Sequence, residues 1–176
     1  MESETPDRLV ERLSALCREK GLTVGTAESC TGGLIAKLLT DMSGSSEFFL
    51  GGVVTYSNAA KASLLGVRRE ELEAHGAVSA QVAVAMAIGA RGGIGVDVAV
   101  AVTGIAGPTG GSKAKPLGLT YLAVADREGA DVRRLVFAGD RASNRESAAS
   151  AALAFLIERI AALPAHVSDA PESEGR

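Results

Sequence analysis

Four polar or charged side chains each follow an apolar stretch of this sequence and could together carry out acyl-transfer chemistry. In chain order they are Ser29, Tyr56, Lys61 and Thr103. Open α/β sheets bind ligands beyond the carboxyl ends of their parallel strands. If each apolar stretch is such a strand, the four side chains lie at one edge of the sheet. A hydroxyl there, activated by a base, could attack a carbonyl carbon.

Ser29 fits two roles. It precedes Thr31, Gly32 and Gly33, where the first turn of a helix would present free backbone N–H groups. Serine in this position either caps the helix, which is the commoner role, or acts as a nucleophile whose oxyanion binds the N–H groups of Gly32 and Gly33. Cys30 is a competing nucleophile, although a lone cysteine beside an apolar helix face is more often buried and inert.

A serine nucleophile needs a base, and the chain has only two histidines. We expect His75 in a solvated loop and His166 in a polar C-terminal segment, which disfavours a Ser-His-Asp triad. A lysine whose pKa is lowered by burial is the alternative base, and Lys61 would meet that need. The competing interpretation is that Lys61, like most lysines, is solvated at the surface.

The stretch 103–116 is too irregular for a regular element and too long for a simple turn, which is typical of a functional loop. Its successive N–H groups could form a nest for an anion. It is not a P-loop, and the dinucleotide and hydrolase-elbow motifs are also absent. No cysteine or histidine pair has metal-ligand spacing, so no metal is expected. The glycines of this loop are Gly104, Gly107, Gly110 and Gly111.

Alternating helix-like and strand-like segments predict the scaffold for these residues. The first predicted helix lies between Thr5 and Gly21, and the last starts at a Ser-x-x-Glu capping box at 143–146 and continues through Ile160. The last two predicted strands form an antiparallel hairpin. The pattern predicts a three-layer α/β/α sandwich with a mixed, mostly parallel sheet. The predicted strands are 22–27, 48–56, 96–102, 117–125 and 132–137, and the other helices are 34–39, 59–65 and 80–91.

Composition limits the classes of partner. The 176 residues indicate one domain at 1–163, followed by a flexible polar tail at 164–176. A formal charge of −3 and the absence of a basic run disfavour nucleic acid. No apolar stretch approaches membrane-spanning length and the first residues are acidic, so neither membrane insertion nor export is expected. Two cysteines are too few for a disulfide framework. We therefore expect a cytoplasmic protein.

Four motifs occur in order: Ala-Glu-Ser-Cys-Thr-Gly-Gly at 27–33, Gly-Gly-Val-Val-Thr-Tyr-Ser-Asn-Ala-Ala-Lys at 51–61, Gly-Ala-Val-Ser at 76–79, and Thr-Gly-Ile-Ala-Gly-Pro-Thr-Gly-Gly-Ser with Lys-Pro-Leu-Gly at 103–118. They resemble the CinA C-terminal domain family, which includes nicotinamide-nucleotide amidases, and the resemblance covers residues 7–160. It indicates a stand-alone form that lacks the N-terminal domain of the longer competence/damage-inducible CinA proteins.

The resemblance implies hydrolysis of the carboxamide of nicotinamide mononucleotide to nicotinate mononucleotide and ammonia, a step of pyridine nucleotide recycling that uses no metal or organic cofactor. Ser29 would be the nucleophile and Lys61 the base. Tyr56 would relay a proton or orient a group, and Thr103 would contact the reacting group. Candidate donors to the substrate's 5′-phosphate are the glycine loop 104–111, Ser45, Ser46 and Arg141.

The alternative function is a catalytically silent regulatory module that binds a phosphorylated ligand in the same glycine-rich loops. Only the enzyme requires Ser29 and Lys61 for a rate rather than for affinity. We also expect a homo-oligomer, with a symmetry that the sequence does not give. Alanine-rich helix faces at 80–90 and 148–154 could pack either between subunits or inside the core.

Overall fold

A computed structural model describes residues 4–165 and has helices on both faces of a five-stranded sheet of order β2-β1-β3-β4-β5. The three-layer α/β prediction is confirmed. A 3-10 turn at Ser45–Glu47 precedes β2. The strands are β1 Val24–Glu28, β2 Phe49–Val54, β3 Val98–Gly104, β4 Leu119–Asp126 and β5 Gly129–Val136. The helices are α1 Pro6–Lys20, α2 Leu34–Asp41, α3 Asn58–Leu65, α4 Arg69–His75, α5 Ala80–Ile94 and α6 Arg141–Ala162.

The sheet is mixed, and "mostly parallel" describes it only approximately. Strand β1 pairs in parallel with β2 and with β3, whereas β4 is antiparallel to both β3 and β5. One antiparallel pair was expected, and there are two. The chain between β3 and β4 contains no helix, and a parallel pair needs a long crossover, usually helical, so the chain reverses direction there.

The core lies on both faces of the sheet. Val98, Val100 and Val102 of β3 pack with α1, α2 and α6, while Ala99 and Ala101 of the same strand pack with α5. This alternation follows from the two-residue period of a strand. Strands β1 and β3 are therefore buried on both faces, and β3 is correspondingly apolar from Val98 to Val102.

The alanine-rich stretches at 80–90 and 148–154 pack inside the chain. Ala83 and Ala87 of α5, and Ala149 and Ala152 of α6, are fully buried. Their small side chains let both helices approach the sheet closely. These stretches consequently give no support to the predicted homo-oligomer, which stays a prediction.

Three differences from the sequence predictions concern the glycine-rich loop, α6 and α4. Thr103 and Gly104 belong to β3, so the loop begins at residue 105 rather than 103. Helix α6 begins at Arg141 because Asp140 is its cap, accepting from the Ser143 N–H, and the predicted cap at Ser143 is wrong. His75 was predicted to lie in a loop. It is instead the exposed last residue of α4, a helix that was not predicted.

The described part of the chain contains no helix that is long and apolar enough to cross a membrane. Most of the predicted tail, residues 166–176 with His166, lies outside the described residues.

Candidate active site

The carboxyl ends of three strands meet at one edge of the sheet. Glu28, the last residue of β1, pairs with Val54 at the end of β2 and with Val102 of β3. Because the three strands are parallel, the segments that follow them lie side by side. This register brings the region after residue 28 next to those after residues 54 and 102.

Ser29 and Lys61 are in direct contact at this edge. The atoms Lys61 Nζ and Ser29 Oγ lie 2.9 Å apart, and Lys61 Nζ is also 2.7 Å from the carbonyl oxygen of Thr55. Lys61 is 1% exposed and Ser29 is 9% exposed. The alternative that Lys61 is solvated at the surface is therefore wrong. The Lys61 amine is buried and within hydrogen-bond distance of the Ser29 hydroxyl.

Helix α3 positions the Lys61 side chain next to Ser29. The cap residue Ser57 accepts a hydrogen bond from the Ala60 N–H, which starts the helix directly after β2. Lys61 lies in the first turn of this helix. Side chains on a helix lean toward its N-terminus, so the amine of Lys61 reaches back to the strand ends.

Burial lowers the pKa of Lys61, and the nearby Cys30 thiol opposes this effect only in part. A neutral amine has two N–H donors and one lone pair. It can donate to the Thr55 carbonyl and accept the Ser29 hydroxyl proton at the same time. The geometry thus suits Lys61 to act as a base toward Ser29.

Cys30, the competing nucleophile, lies in a different environment. Its side chain is buried in the apolar cluster beside α6, and burial raises the pKa of its thiol to about 11. A thiol with such a pKa is protonated at neutral pH, and only the thiolate is a strong nucleophile. Ser29 is therefore the better nucleophile of the two neighbours.

Glu28 occupies the helix N-terminus that was predicted to be open to anions. Its fully buried carboxylate accepts hydrogen bonds from the N–H groups of Gly33, Ile35 and Ala36, at 2.9 to 3.1 Å. The Gly32 N–H donates to the Ser29 carbonyl. The prediction that Gly32 and Gly33 offer free N–H groups is therefore wrong. The Ser29 carbonyl accepts from Gly32, and the Glu28 carboxylate accepts from Gly33 and places a negative charge at the N-terminus of α2.

Thr31 is fully buried, and its hydroxyl has no hydrogen-bond partner among residues 4–165. Its carbonyl accepts a hydrogen bond from Arg145 at 2.7 Å, and the carbonyl of Cys30 accepts one from the same guanidinium at 3.1 Å. Arg145 thereby fixes the segment that follows Ser29.

Tyr56 lies at the outside of the site. Its side chain is 63% exposed, and its hydroxyl accepts a hydrogen bond from Arg141 at 2.9 Å. A second guanidinium nitrogen of Arg141 donates to the Gly107 carbonyl at 2.8 Å. Tyr56 is thus joined to Arg141 rather than to Ser29 or Lys61, and this arrangement does not place it as a proton relay.

Thr103 is buried, and its hydroxyl donates to the carbonyl of Ala77 at 2.8 Å. It therefore holds the segment between α4 and α5 against the end of β3. The Thr103 hydroxyl thus forms a structural hydrogen bond, whereas the sequence predicted that it would contact the reacting group.

The glycine-rich loop and the start of α6 line an open cavity of about 430 Å³. Pro108, Leu117, Arg141 and Ala142 are among its lining residues. On the far side of the loop, Lys115 Nζ donates a hydrogen bond to the His75 carbonyl oxygen at 2.6 Å. Of the loop glycines, Gly107 is buried beside Arg141, whereas Gly110 and Gly111 are exposed at the loop tip.

Ser45 and Ser46 lie at the opposite edge of the sheet. They belong to the 3-10 turn that follows α2 and leads into the start of β2, next to the start of β1. The structure therefore does not bring them to Ser29, because parallel strands begin at one edge and end at the other.

Three residues that organise the site were not among the predicted site residues: Glu28, Asn144 and Arg145. Asn144 is buried, and its amide nitrogen donates to the carbonyl of Ala106 at 3.0 Å. Residues 141, 144 and 145 have the i, i+3, i+4 spacing of one helix face, a signal that could have grouped them. This face of α6 contacts the segments that follow β1, β2 and β3.

No cluster of three or more histidine, cysteine or acidic side chains close enough to hold a metal ion occurs within residues 4–165.

Residues 6–160 match the CinA C-terminal domain family. A CinA-like protein of Geobacter sulfurreducens is 57% identical over 148 residues, which cover 84% of this chain and 36% of that protein. This chain thus spans little more than a third of that relative's length.

Solved structures share the fold over nearly their whole length. The competence/damage inducible protein CihA of Agrobacterium tumefaciens is 45% identical with a TM-score of 0.85, and the match covers 87% of this chain and 94% of that one. A competence-damaged protein (CinA) superfamily protein of Escherichia coli is 34% identical with a TM-score of 0.87, covering 90% and 92%.

Proposed function

The chain belongs to the CinA C-terminal domain family, and we propose that it is an amidohydrolase that converts nicotinamide mononucleotide to nicotinate mononucleotide and ammonia. One observation carries the proposal: a buried lysine amine lies 2.9 Å from the hydroxyl of a serine at the carboxyl edge of the sheet. Such a pair is a nucleophile with an adjacent base.

The reaction begins with proton transfer from Ser29 to Lys61. The neutral amine takes the hydroxyl proton as Oγ bonds to the carboxamide carbon, and the carbonyl oxygen becomes an oxyanion. Collapse of this tetrahedral intermediate breaks the C–N bond. The leaving nitrogen takes the proton from the Lys61 ammonium and departs as ammonia, leaving an acyl ester on Ser29.

Water completes the cycle. Lys61, neutral again, removes a proton from a water molecule that attacks the ester carbon, and the C–O bond to Ser29 breaks. Ser29 regains its proton from Lys61, and the carboxylic acid that forms gives its own proton to solvent and leaves as a carboxylate. The two half-reactions consume one amide and one water, so no redox partner is required.

The phosphate end of the substrate fits the cavity beside Arg141. Arg141 is an exposed cation at the cavity wall, held in place by Tyr56 and Gly107. A guanidinium offers a planar set of donors that suits a phosphate. Tyr56 therefore orients Arg141 in this proposal, and the loop glycines allow the backbone to approach the nucleotide.

The test is to incubate the purified protein with nicotinamide mononucleotide, without added metal, and to quantify ammonia and nicotinate mononucleotide. We expect equimolar release of both products. Ser29→Ala should abolish release, because the acyl ester cannot form, while circular dichroism and the melting temperature stay near those of the wild type.

Two outcomes would contradict the proposal. Turnover retained by folded Ser29→Ala would exclude Ser29 as the nucleophile. No product from a folded wild-type protein that still binds the nucleotide would favour the silent regulatory module instead.

A further inference from the structure

Strand β5 forms one edge of the sheet, and within residues 4–165 no strand pairs with its outer side. The N–H of Phe137 donates to the carbonyl of Gly118 at 3.1 Å, in continuation of the register between β4 and β5. Since bonded and non-bonded residues alternate along an antiparallel strand, the odd-numbered residues of β5 bond to β4. The even-numbered residues direct their N–H and C=O groups outward, and these are Ala130, Val132, Arg134 and Val136.

The face of β5 that packs on α6 carries two charges of opposite sign. Arg133 lies over the ring of Phe155, 4.0 Å from the ring centroid. Asp131 and Arg133 each form an ion pair with α6, yet their side chains are still 58% and 44% exposed. Both charges therefore remain accessible from the outer side of the strand.

The face of β5 that packs on α5 is apolar at the middle of the strand. Val132 lines an open groove of about 430 Å³ together with Val84, Ala85 and Ile88 of α5. Val132 and Ile88 are both exposed. A long edge strand with outward-facing backbone groups is a template for pairing with a further strand.

A second copy of β5 fits this edge in one register. Two identical antiparallel strands are related by a two-fold axis, and the residue on that axis sets the register. Like charges directly opposite each other are destabilising. An axis at residue 131, 133 or 134 places a charged residue opposite itself, and an axis nearer to either end leaves only a short segment of Gly129–Val136 paired.

An axis at Val132 avoids both problems. The outward N–H and C=O groups of Val132 then bond to those of the second copy, and Ala130 pairs with Arg134. Asp131 of each copy lies opposite Arg133 of the other, on the face that packs on α6. These two residues form a non-hydrogen-bonded pair, in which opposite side chains are closest.

We propose that β5 is the interface of a homodimer, in which two copies of the strand pair antiparallel about Val132 and join the two sheets. Two interchain ion pairs between Asp131 and Arg133 form on one face. On the other face the two Val132 side chains meet, and the apolar grooves beside α5 adjoin. Each copy uses the same strand, so the assembly closes at two copies. The inference does not depend on the proposed amidase function.

The test begins with the mass of the full-length protein, measured by light scattering after gel filtration over a range of concentrations. We expect twice the 17.9 kDa of one chain. Asp131→Arg places like charges opposite each other at both contacts, and so does Arg133→Asp. Each variant alone should raise the dissociation constant of the dimer at least about tenfold, because two attractive pairs become repulsive.

An equimolar mixture of the two variants tests the register. In the mixed dimer one copy supplies both arginines and the other supplies both aspartates, so each contact again joins opposite charges. The mixture should form dimers with nearly wild-type affinity, although neither variant does so alone. Loss of the intrachain ion pairs with α6 affects both variants, and melting temperatures show that each is folded.

Two variants on exposed positions of α1 are the matched controls. Glu19→Arg changes the net charge as Asp131→Arg does, and Arg8→Asp changes it as Arg133→Asp does. Helix α1 lies away from β5, so both control variants should dimerise like the wild type.

Hydrogen exchange tests the strand pairing directly. The amides of Ala130, Val132 and Arg134 should exchange slowly in the wild-type dimer and rapidly in Asp131→Arg. The amide of Arg133, which bonds to β4, should stay protected in both. A wild-type protein that is monomeric at every concentration, a dimer that neither variant weakens, or a mixture that stays monomeric would overturn the proposal.

Discussion

At the scale of single residues, the proposed chemistry depends on the charge of Lys61. An ammonium cannot accept the Ser29 proton, whereas the neutral amine can. Burial lowers the pKa of Lys61 below the ordinary lysine value of 10.5. Glu28 lies next to Ser29 in sequence, but its carboxylate is bonded to backbone N–H groups of α2 and does not pair with the amine.

The pH profile of kcat/KM should therefore rise with pH as Lys61 loses its proton, with a midpoint below that of an ordinary lysine. Lys61→Arg should be at least about 100-fold less active at every pH, because a guanidinium stays protonated and removing a general base typically costs this much or more. Steady-state kinetics from neutral to alkaline pH measure both effects. A profile without a rising limb, or an active Lys61→Arg protein, would contradict a neutral Lys61 as the base.

At the scale of elements, the position of Lys61 depends on how α3 packs against α5. Gly89 of α5 lies against the end of α3: a Cβ built on it would be 1.9 Å from the carbonyl oxygen of Leu65. This contact leaves no room for a side chain, and backbone atoms cannot move aside cheaply. The close approach of the two helices holds α3 in the position from which Lys61 reaches Ser29.

Gly89→Ala should therefore push α3 away from α5 and lower the free energy of unfolding by about 1–3 kcal/mol, the usual cost of overpacking. It should also lower kcat because the Lys61 amine moves from Ser29. Urea unfolding and steady-state kinetics on the same preparations measure both changes.

Gly92→Ala is the control in the same helix, since nothing lies within 4 Å of its built Cβ. It should stabilise the protein by about 0.5–1 kcal/mol, because alanine is the better helix former, and leave kcat unchanged. Equal effects of the two alanines would show that the contact with Leu65 is not the cause.

At the scale of the whole molecule, stability and chemistry are carried by different parts of the fold. Helix α1 packs against α6 through fully buried Leu13, and it contributes no side chain to the candidate site. The site instead uses the segments after β1, β2 and β3, together with α3 and the first turns of α6.

Leu13→Ala should lower the free energy of unfolding by about 2–5 kcal/mol, because it leaves a cavity in the core. At temperatures where the variant is folded, kcat/KM should stay near the wild-type value. Leu64→Ala, at a position that is 58% exposed, should change stability by less than about 0.5 kcal/mol. A large loss of kcat/KM in folded Leu13→Ala would show that α1 helps to position the site.

Local sequence patterns were enough to predict the family and every helix and strand except α4. Gly21 ends α1 in the left-handed conformation, Ser79 caps α5, and the apolar run before Thr103 forms β3, because caps and periodicities act between residues a few positions apart. The ordered motifs supported a correct family resemblance. They also predicted that Ser29 and Lys61 would work together.

How the site is built depends on contacts between residues that are far apart in the sequence. The contact between residues 29 and 61 depends on the register of β1 with β2 and on the direction of α3, which no local pattern encodes. The same holds for Arg145, which reaches the Ser29 segment from a distant helix, and for Glu28, which fills the N-terminus of α2. Ser45 and Ser46 were misplaced because sequence spacing does not tell which edge of the sheet a loop joins.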